Sequence, residues 1–269
     1  MKKYITILSF VAALAAVCSC YKEAEENEVV RRVDPVTQIR ILESSGGTVL
    51  TDHSVIIEYD AVGRVVRADQ KKYAVVGEER KLSMKDLQEY DYELSTMRNE
   101  FGYIALGEDI TMAAPVTYSL AFNGNGILMS LKSKDALLSV AYENGRMATY
   151  TSEVDDFKTV MSYTWEDGDL TAVRDGDFGV TFKYGTDPNP FQKGFDPIIF
   201  ATTMFPDQAS FAMTGLRNAH LPVAMHDDFF PDINFRYEYT YDDYGRVIQI
   251  DILGDDPGHS EDTSILIAY

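Results

Sequence analysis

The sequence predicts a mainly β fold: an antiparallel array of β-hairpins that forms a curved sheet, a sandwich or an open barrel, with a short helical insert near 197–218. Short runs of alternating apolar and polar residues are separated by glycine-containing turns along most of the chain. Tyr and Phe are abundant, at 17 and 14 residues, and both favour strands over helices. Turn entries at Phe122, Tyr142, Trp165 and Tyr184 recur about every 20 residues, the length of one strand–turn–strand unit.

Five hairpins are predicted in order along the chain. Each has a turn of the Asn-Gly or Asp-Gly kind, or one that ends in glycine, because glycine adopts positive φ without steric cost. They are Ser54–Tyr59 with Arg64–Ala68, Val116–Phe122 with Ile127–Leu131, Leu137–Tyr142 with Arg146–Thr151, Phe157–Trp165 with Asp169–Val173, and Phe235–Tyr241 with Arg246–Leu253. Lys85–Met97 is compatible with a helix or a strand, and Ile265–Tyr269 is predicted to be a closing strand.

The alternation also assigns faces, because successive side chains of a strand point to opposite sides. Phe157, Met161, Tyr163 and Trp165 share one side, and so do three residues near the end of the chain. Those three are Ile248, Ile250 and Ile252. One apolar face and one wet face are typical of antiparallel sheet, and the apolar face must be covered.

A candidate cover lies in the insert 185–231, where the hairpin rhythm stops. Gly185 and Pro188 begin a stretch that breaks regular elements, and a run of Phe, Ile and Met residues follows it. We interpret Ile198–Phe205 and Gln208–Arg217 as short helices, with Asp207 capping the second one. These helices are expected to pack on the apolar face of the sheet.

The first residues predict a secretory signal and a lipid anchor. Lys2 and Lys3 precede an apolar run, Ile5–Val17, that is too short for a permanent span of about 20 residues. Residues 1–19 are therefore predicted to be a signal peptide, and Cys20, after the small Ser19, is the predicted lipid-attachment site. An ordinary signal peptide with incidental cysteines is the alternative. Residues 20–36 then form a lipidated acidic tether, and 37–269 form a single hairpin domain.

Charge and cysteine content exclude several functions. The formal net charge is −19, which repels nucleic acid and anionic lipid, so membrane attachment is expected to be covalent. Cys18 and Cys20 are the two cysteines of the chain. With Cys20 acylated, for example by palmitate, the mature chain has no free thiol for disulfides, nucleophilic catalysis or metal binding.

Several motifs carry a resemblance to known families. Val17-Cys18-Ser19-Cys20 resembles a bacterial lipobox, and Tyr21-Lys22-Glu23-Ala24-Glu25-Glu26 resembles the export signal of Bacteroidota surface lipoproteins; a solvated tether is the other interpretation, and both can hold. Tyr59–Val65 and Tyr241–Val247 share the pattern Tyr-Asp, two residues, Gly-Arg-Val, which looks like the YD hairpin repeat of Rhs-type proteins.

More narrowly, residues from about Thr37 to Tyr269 are similar to Bacteroidota lipoproteins grouped as domain of unknown function 4595. The shared order is hairpins, an Asn-Pro-Phe segment at Asn189–Phe191, a helical insert, Leu221-Pro222 and a final Tyr-Asp hairpin. The resemblance implies an antiparallel sheet with a helical insert, and it implies no activity.

No catalytic, cofactor or metal site is predicted. The sequence contains no His-Glu-x-x-His, Walker or Gly-x-Ser-x-Gly motif, and Gly124-Asn125-Gly126 is interpreted as a turn. His226 with Asp227, Asp228 and Asp232 could form a divalent metal site, but a solvated acidic loop is the preferred interpretation. Asp255–His259 is likewise interpreted as an exposed turn.

We therefore expect a lipid-anchored outer-membrane protein, exposed at the cell surface, that binds or scaffolds without catalysis. Its expected partners are the membrane through Cys20 and a glycan or an outer-membrane protein. A polysaccharide-processing enzyme is the first alternative, since two positioned carboxylates suffice for glycoside hydrolysis and acidic residues are plentiful. A carrier of lipid or lipoprotein inside a curved apolar sheet is the second.

Overall fold

The computed structural model describes residues 35–104, 111–191, 195–198, 213–215, 217–228, 231–255 and 261–269. Pro35–Tyr269 forms one compact unit built on a single antiparallel sheet of seventeen strands. The predicted signal peptide, Cys20 and most of the predicted tether lie outside the described residues. Within the described residues, no helix has the length and apolarity that crossing a bilayer requires.

The strands follow one another with short connections, apart from one long insert. In chain order they are β1 Gln38–Ser45, β2 Thr48–Tyr59, β3 Val65–Val76, β4 Glu79–Asp91, β5 Thr96–Tyr103, β6 Thr111–Met112, β7 Val116–Phe122, β8 Leu128–Lys132, β9 Ala136–Glu143, β10 Arg146–Val154, β11 Phe157–Glu166, β12 Asp169–Asp175, β13 Phe178–Pro188, β14 His220–Asp227, β15 Asn234–Tyr241, β16 Val247–Gly254 and β17 Glu261–Ala268.

The sheet closes on itself, so the expectation of a curved sheet, a sandwich or an open barrel is wrong on closure. The two-residue β6 pairs with β5 and is not counted in the ring. The other sixteen strands form a ring in which each strand pairs with the next, so that β5 pairs with β7. β1 and β17 complete the ring with a ladder that runs from Gln38 opposite Ala268 to Ser45 opposite Glu261. Closure satisfies the backbone groups that two free edges would expose.

The predicted hairpins are present, with corrections in detail. All five predicted turns join consecutive paired strands, and Lys85–Met97 falls in β4 and β5. Ile250 and Ile252 share a face opposite Tyr239 and Tyr237, whereas a register shift at Tyr241 leaves Ile248 without a directly paired residue on β15. Such bulges insert one extra residue, and period-two alternation cannot locate them in advance.

The inner face of the ring is apolar near one end, and the outer face is charged. Directly paired residues share a face, as Ile39 and Ile267 do on the inside, where both are buried. Strand by strand, the same alternation puts charged residues on the outside of β1–β5 and β10–β16. These residues are Arg40, Asp52, Glu58, Arg67, Asp69, Lys71, Arg80, Lys85, Glu89, Arg98, Glu100, Glu153, Lys158, Arg174, Lys183, Arg236, Glu238 and Asp251.

The two ends of the ring are named here by what lies at them. The plugged end carries the turns 60–64, 92–95, 123–127, 144–145, 167–168 and 242–246, together with the insert between β13 and β14. The rim end carries the turns 46–47, 77–78, 133–135, 155–156 and 176–177. Thr37 donates its backbone N–H to Ala268 at the plugged end, so the described chain enters and leaves the ring there.

The insert differs from the prediction in extent and structure. β13 runs to Pro188 and β14 begins at His220, so the insert spans 189–219 rather than 185–231. The helical insert predicted near 197–218 is not shown: among its described residues Pro197 and Ile198 are helical and 213–215 form a turn, while 199–212 and 216 lie outside the described residues. Gly215, with φ +67, takes a backbone conformation that suits a turn.

The described residues of the insert contribute apolar side chains to the core, while most of the two predicted covering helices lies outside the described residues. Phe191, Phe195 and Ile198 are at most 2% exposed and join the core cluster formed by the strands around them. Asn189 organises the segment: its side-chain N–H groups donate to Asp196 and to the carbonyl of Asn218, and its Oδ1 accepts from Phe191 N. These described residues of the insert therefore pack on the core at one end of the ring, the plugged end.

Candidate functional site

A ring of aromatic hydrogen-bond donors ties the strands together at the plugged end. Each donor lies in the last part of one strand or directly after it and bonds, at 2.6 to 2.8 Å, to a carbonyl at or near the start of the preceding strand. Among the described residues the pairs are Tyr59 to Val36, Tyr92 to Val65, Tyr142 to Leu128, Trp165 to Met147, Tyr184 to Leu170, Tyr239 to Pro222 and Tyr269 to Val247. Tyr142, Trp165 and Tyr184, three of the four residues that recur about every 20 positions in the sequence, are among these donors.

Phe122 holds the corresponding place on β7, where it lacks a hydroxyl and packs instead on Tyr92, with ring centroids 6.0 Å apart. Burial raises the pKa of Tyr59, Tyr92 and Tyr269 to about 12, so these hydroxyls stay protonated donors at neutral pH.

The two Tyr-Asp motifs fold into the same turn. In each, the aspartate side chain accepts from two backbone N–H groups and from the arginine that follows the glycine. Arg64 Nε lies 2.7 Å from Asp60, and Arg246 Nε lies 2.8 Å from Asp242. Asn123 accepts the same two backbone N–H groups in the turn before β8, so its Asn-Gly-Asn-Gly sequence is a turn, as predicted.

The arginine of each turn also stacks on the aromatic donor of a following strand. The Arg64 guanidinium lies 4.1 Å from the Tyr92 ring, that of Arg246 lies 4.6 Å from Tyr269, and that of Arg146 lies 5.0 Å from Trp165. These cation–π contacts join neighbouring hairpins. The repeat motif is therefore a structural device of the plugged end.

The rim end presents aromatic side chains that face inward and are exposed. Phe101 and Tyr103 lie on the inner face because they pair with Asp86 and Met84, and they are 37% and 50% exposed. Their ring centroids are 6.0 Å apart. Solvent therefore reaches the inner face of the sheet at this end.

The opposite part of the rim carries two further aromatic residues. Phe157, next to the turn 155–156, is 82% exposed, and Phe178, next to the turn 176–177, is 52% exposed. By register they also lie on the inner face. We call Phe101, Tyr103, Phe157 and Phe178 the rim aromatics. Exposed apolar side chains at one end of the ring make it a candidate interaction site.

A buried polar network lies on the inner face below Phe101. The Asp86 carboxylate accepts from Gln70 Nε2 at 3.2 Å, from Gln88 Nε2 at 3.0 Å and from the Asn99 amide. Gln88 in turn accepts from the Tyr90 hydroxyl at 2.6 Å. Carboxamide donors solvate this buried carboxylate and hold its geometry.

Nearer the solvent, an ion pair and a histidine complete the polar wall. Lys72 Nζ lies 3.2 Å from Glu43, and both side chains are partly exposed. His53 pairs with Lys72 in the β2–β3 ladder and lies on the same inner face. Burial, with the Lys72 charge as a second cause, lowers the pKa of His53 to about 4. His53 is therefore neutral at pH 7.

The sequence-predicted metal candidates are not brought together. His226 and Asp227 lie on β14 rather than in a loop, where His226 faces outward, 3.9 Å from Asp228, and Asp227 is buried on the inner face. Asp255 instead accepts two hydrogen bonds from Asn234. Across the described parts of the chain, no three His, Cys, Asp or Glu side chains form a group suited to a metal.

Sequence reasoning missed the polar wall of Glu43, His53, Lys72 and Asp86. The available signal was polar residues at positions that alternation assigns to the apolar face, such as Gln70 and Gln88 in β3 and β4. Such residues stand out only when the inner face is known. A polar group that is buried there needs a hydrogen-bond partner, so it indicates a network. Phe157 among the rim aromatics, by contrast, was predicted to lie in a strand, but its position at an open end of a barrel was not.

No protein-family model matches the chain, and no curated protein matches it. Among solved structures, the chain is similar to a porin-like protein from Bacteroides uniformis ATCC 8492, with 15% identity, a TM-score of 0.44, and coverage of 87% of this chain and 98% of that chain. A porin-like protein from Bacteroides vulgatus ATCC 8482 gives 16% identity, a TM-score of 0.29 and the same coverage. Likenesses of this size carry no argument, and the fold rests on the strand ladders themselves.

Proposed function

We propose that this protein is a lipid-anchored binding protein of the outer membrane, whose barrel stands in water at the cell surface and binds a glycan at its rim end without catalysis. The observation that carries the proposal is the group of rim aromatics, which face inward and are solvent-exposed above a wall of polar side chains.

The charged outer face supports a barrel that stands in water. A barrel that spans a membrane carries an apolar band about 25 Å tall, and Arg or Lys on that band costs about 2–4 kcal/mol at the midplane. Here Arg67, Lys71 and Lys85 project from the outside of β3 and β4. Asp52, buried on the same outer face, is clamped by Arg40 and Arg80 at 2.6 and 2.7 Å.

The anchor is then covalent, through acyl chains on Cys20. Several acyl chains on one residue give stable attachment where a single chain gives marginal binding. The described chain begins at the plugged end, where Val36 is buried and Thr37 bonds to Ala268. The covalent connection of the barrel to a tether from Cys20 therefore lies at that end.

The chemistry of the rim end supports a glycan ligand. A sugar ring offers an apolar C–H face to an aromatic side chain and hydroxyl groups to polar ones. Phe101 and Tyr103 supply the first, and the partly exposed Glu43 and Lys72 supply the second. The interior of an eight-stranded barrel is filled by its own side chains, whereas a barrel of sixteen strands has a wider interior.

Glycan binding is tested on an array of polysaccharides, with the full-length protein purified in mild detergent. The double variant Phe101→Ala/Tyr103→Ala is expected to bind at least one polysaccharide of the array more weakly than the wild type does. The matched control is Tyr244→Ala, which removes an aromatic residue that is 80% exposed at the plugged end. A blank wild-type array would overturn the glycan assignment, and co-purified lipid in native mass spectrometry would favour the carrier alternative instead.

The anchor is tested separately with Cys20→Ala. Fractionated cells that express the variant are expected to lose the protein from the membrane and to incorporate no labelled fatty acid into it, whereas Cys18→Ala keeps both. Surface exposure is measured by adding protease to intact cells. Full protection of wild-type protein there would remove the surface assignment and leave the periplasmic face of the outer membrane.

A further inference from the structure

A second concave surface lies at the plugged end, away from the rim. It is a groove of about 400 Å³ between the β9–β10 and β11–β12 turns. Small-molecule sites usually occupy about 300–1,000 Å³. The groove is lined by Arg146 and Trp165, by the exposed side chains of Glu143, Asn144 and Asp167, and by Gly168.

The indole at the groove is held rigidly. Trp165 Nε1 donates to the carbonyl of Met147 at 2.8 Å, and the Arg146 guanidinium stacks 5.0 Å from the Trp165 ring. Arg146 is itself fixed by its bond to the carbonyl of Arg217, at 3.1 Å, at the end of the insert. An aromatic surface ordered before binding loses little conformational entropy when a ligand arrives.

The floor of the groove joins the β11–β12 turn to the insert. Gly168 has φ +95, and a Cβ built on it would lie 3.2 Å from the Ala219 side chain and 3.4 Å from Arg146 Nη2. Ala219 N also donates to the carbonyl of Gly168. A glycine here thus keeps a close approach between turn and insert that a side chain would push apart.

The charges around the groove select the ligand class. Glu143 and Asp167 offer carboxylate acceptors and Asn144 an amide, against the single guanidinium of Arg146 that already stacks on Trp165. This surplus of negative charge, within a chain of net charge −19, repels anions. Hydroxyl donors, in contrast, form charge-assisted hydrogen bonds with carboxylates.

We propose that this groove is a second binding site, which takes a neutral saccharide unit with its hydroxyls on Glu143, Asn144 and Asp167 and an apolar ring face against Trp165. The inference does not rest on glycan binding at the rim, because the two surfaces lie at opposite ends of the strands. If both sites bind one polysaccharide, the second contact becomes intramolecular and raises avidity.

Trp165 provides the readout, since it is the one tryptophan of the chain. The full-length protein in mild detergent is titrated with the methyl glycosides of glucose, galactose, mannose and N-acetylglucosamine, and with glucuronate. We expect a saturable change in tryptophan fluorescence with at least one neutral glycoside and weaker binding of glucuronate. No saturable change with any neutral glycoside, or a preference for glucuronate, would overturn the proposal.

Matched variants separate a site from a structural effect. Asp167→Asn is expected to weaken binding by about tenfold or more, since a hydrogen bond to a charged group contributes about 1.5–3 kcal/mol. The control is Asp155→Asn at the rim end, because Asp155 has φ 51 and Asp167 has φ 49. Equal affinity in the two variants would contradict the site, provided that their thermal unfolding matches the wild type. Phe101→Ala/Tyr103→Ala should leave this titration unchanged, which keeps the two sites distinguishable.

Discussion

The two ends of the same barrel use aromatic residues in opposite ways. At the plugged end, Tyr184 and the other tyrosines of the donor ring are partly buried, and their hydroxyls donate to carbonyls of the preceding strand. At the rim end, Phe157 and Phe178 make the inner face exposed and apolar. Aromatic residues thus stabilise the strands at one end, whereas at the other end they are presented to solvent.

Core packing should distinguish the ends most strongly. Phe195→Ala removes a plug side chain that is 2% exposed, and we expect it to lower the free energy of unfolding by about 3–5 kcal/mol. Phe157→Ala at the rim removes one that is 82% exposed, and we expect a change within about 0.5 kcal/mol. Urea unfolding followed by circular dichroism measures both. Similar losses in the free energy of unfolding for the two variants would contradict this difference between the two ends.

The buried His53, on the inner face toward the rim end, should make the free energy of unfolding depend on pH. Its folded pKa of about 4 lies below the ordinary value of 6.5, so protonation favours the unfolded chain. Stability is therefore lost as pH falls below about 6.5, and the loss levels off near the folded pKa. Between pH 7 and 5 we expect the wild type to lose about 2 kcal/mol more than His53→Gln does.

The matched control for that experiment is His226→Gln, which removes a histidine from the outer face of β14. Unfolding curves at several pH values compare the three proteins. A pH slope that His53→Gln leaves unchanged would show that carboxylates, and not this imidazole, govern the acid limb.

A single aromatic donor should have a smaller effect. Tyr184→Phe removes the hydroxyl that bonds to the carbonyl of Leu170 at 2.7 Å, and we expect a loss of about 1 kcal/mol. Tyr103→Phe removes a hydroxyl at the rim from a side chain that is 50% exposed, and it should leave the midpoint of unfolding unchanged. If both variants unfold alike, the ring of donors does not stabilise the plugged end.

The smallest effect is expected from a turn arginine. Arg246→Lys keeps the charge but loses the flat guanidinium that stacks 4.6 Å from Tyr269, and about 0.5–1 kcal/mol should follow. Arg236→Lys, on an exposed outer position of the neighbouring β15, is the matched control and should cost less. Thermal melts of the two variants decide the order.

Sequence alone could predict the hairpins because their signals are local. Turns such as Asn144-Gly145 and Asp167-Gly168 place both residues at positive φ, and alternation on either side then assigns the faces. The apolar run after Asn189 could be identified as a cover because a half-buried sheet needs one. The lipid anchor at Cys20 stays a prediction, because its residues lie outside those the structure describes.

Closure and the inner polar wall could not be predicted, because both depend on residues far apart in the sequence. Alternation in β1 and β17 is the same whether these strands pair with each other or end as free edges. Asp86 and Gln70 similarly look like wet-face residues until the ladders place them inside the ring. Pairing partners are what period-two patterns leave undetermined.

The ladder that closes the ring has a consequence for assembly. Almost every other ladder joins strands that are adjacent in sequence and can zip as soon as its turn forms. The bond between Thr37 and Ala268 instead bridges 231 residues, and closing a loop of that length costs about 2 kcal/mol more chain entropy than closing a 20-residue hairpin. Assembly thus combines many local steps of low entropic cost with one long-range step. The barrel is complete only when β1 pairs with β17.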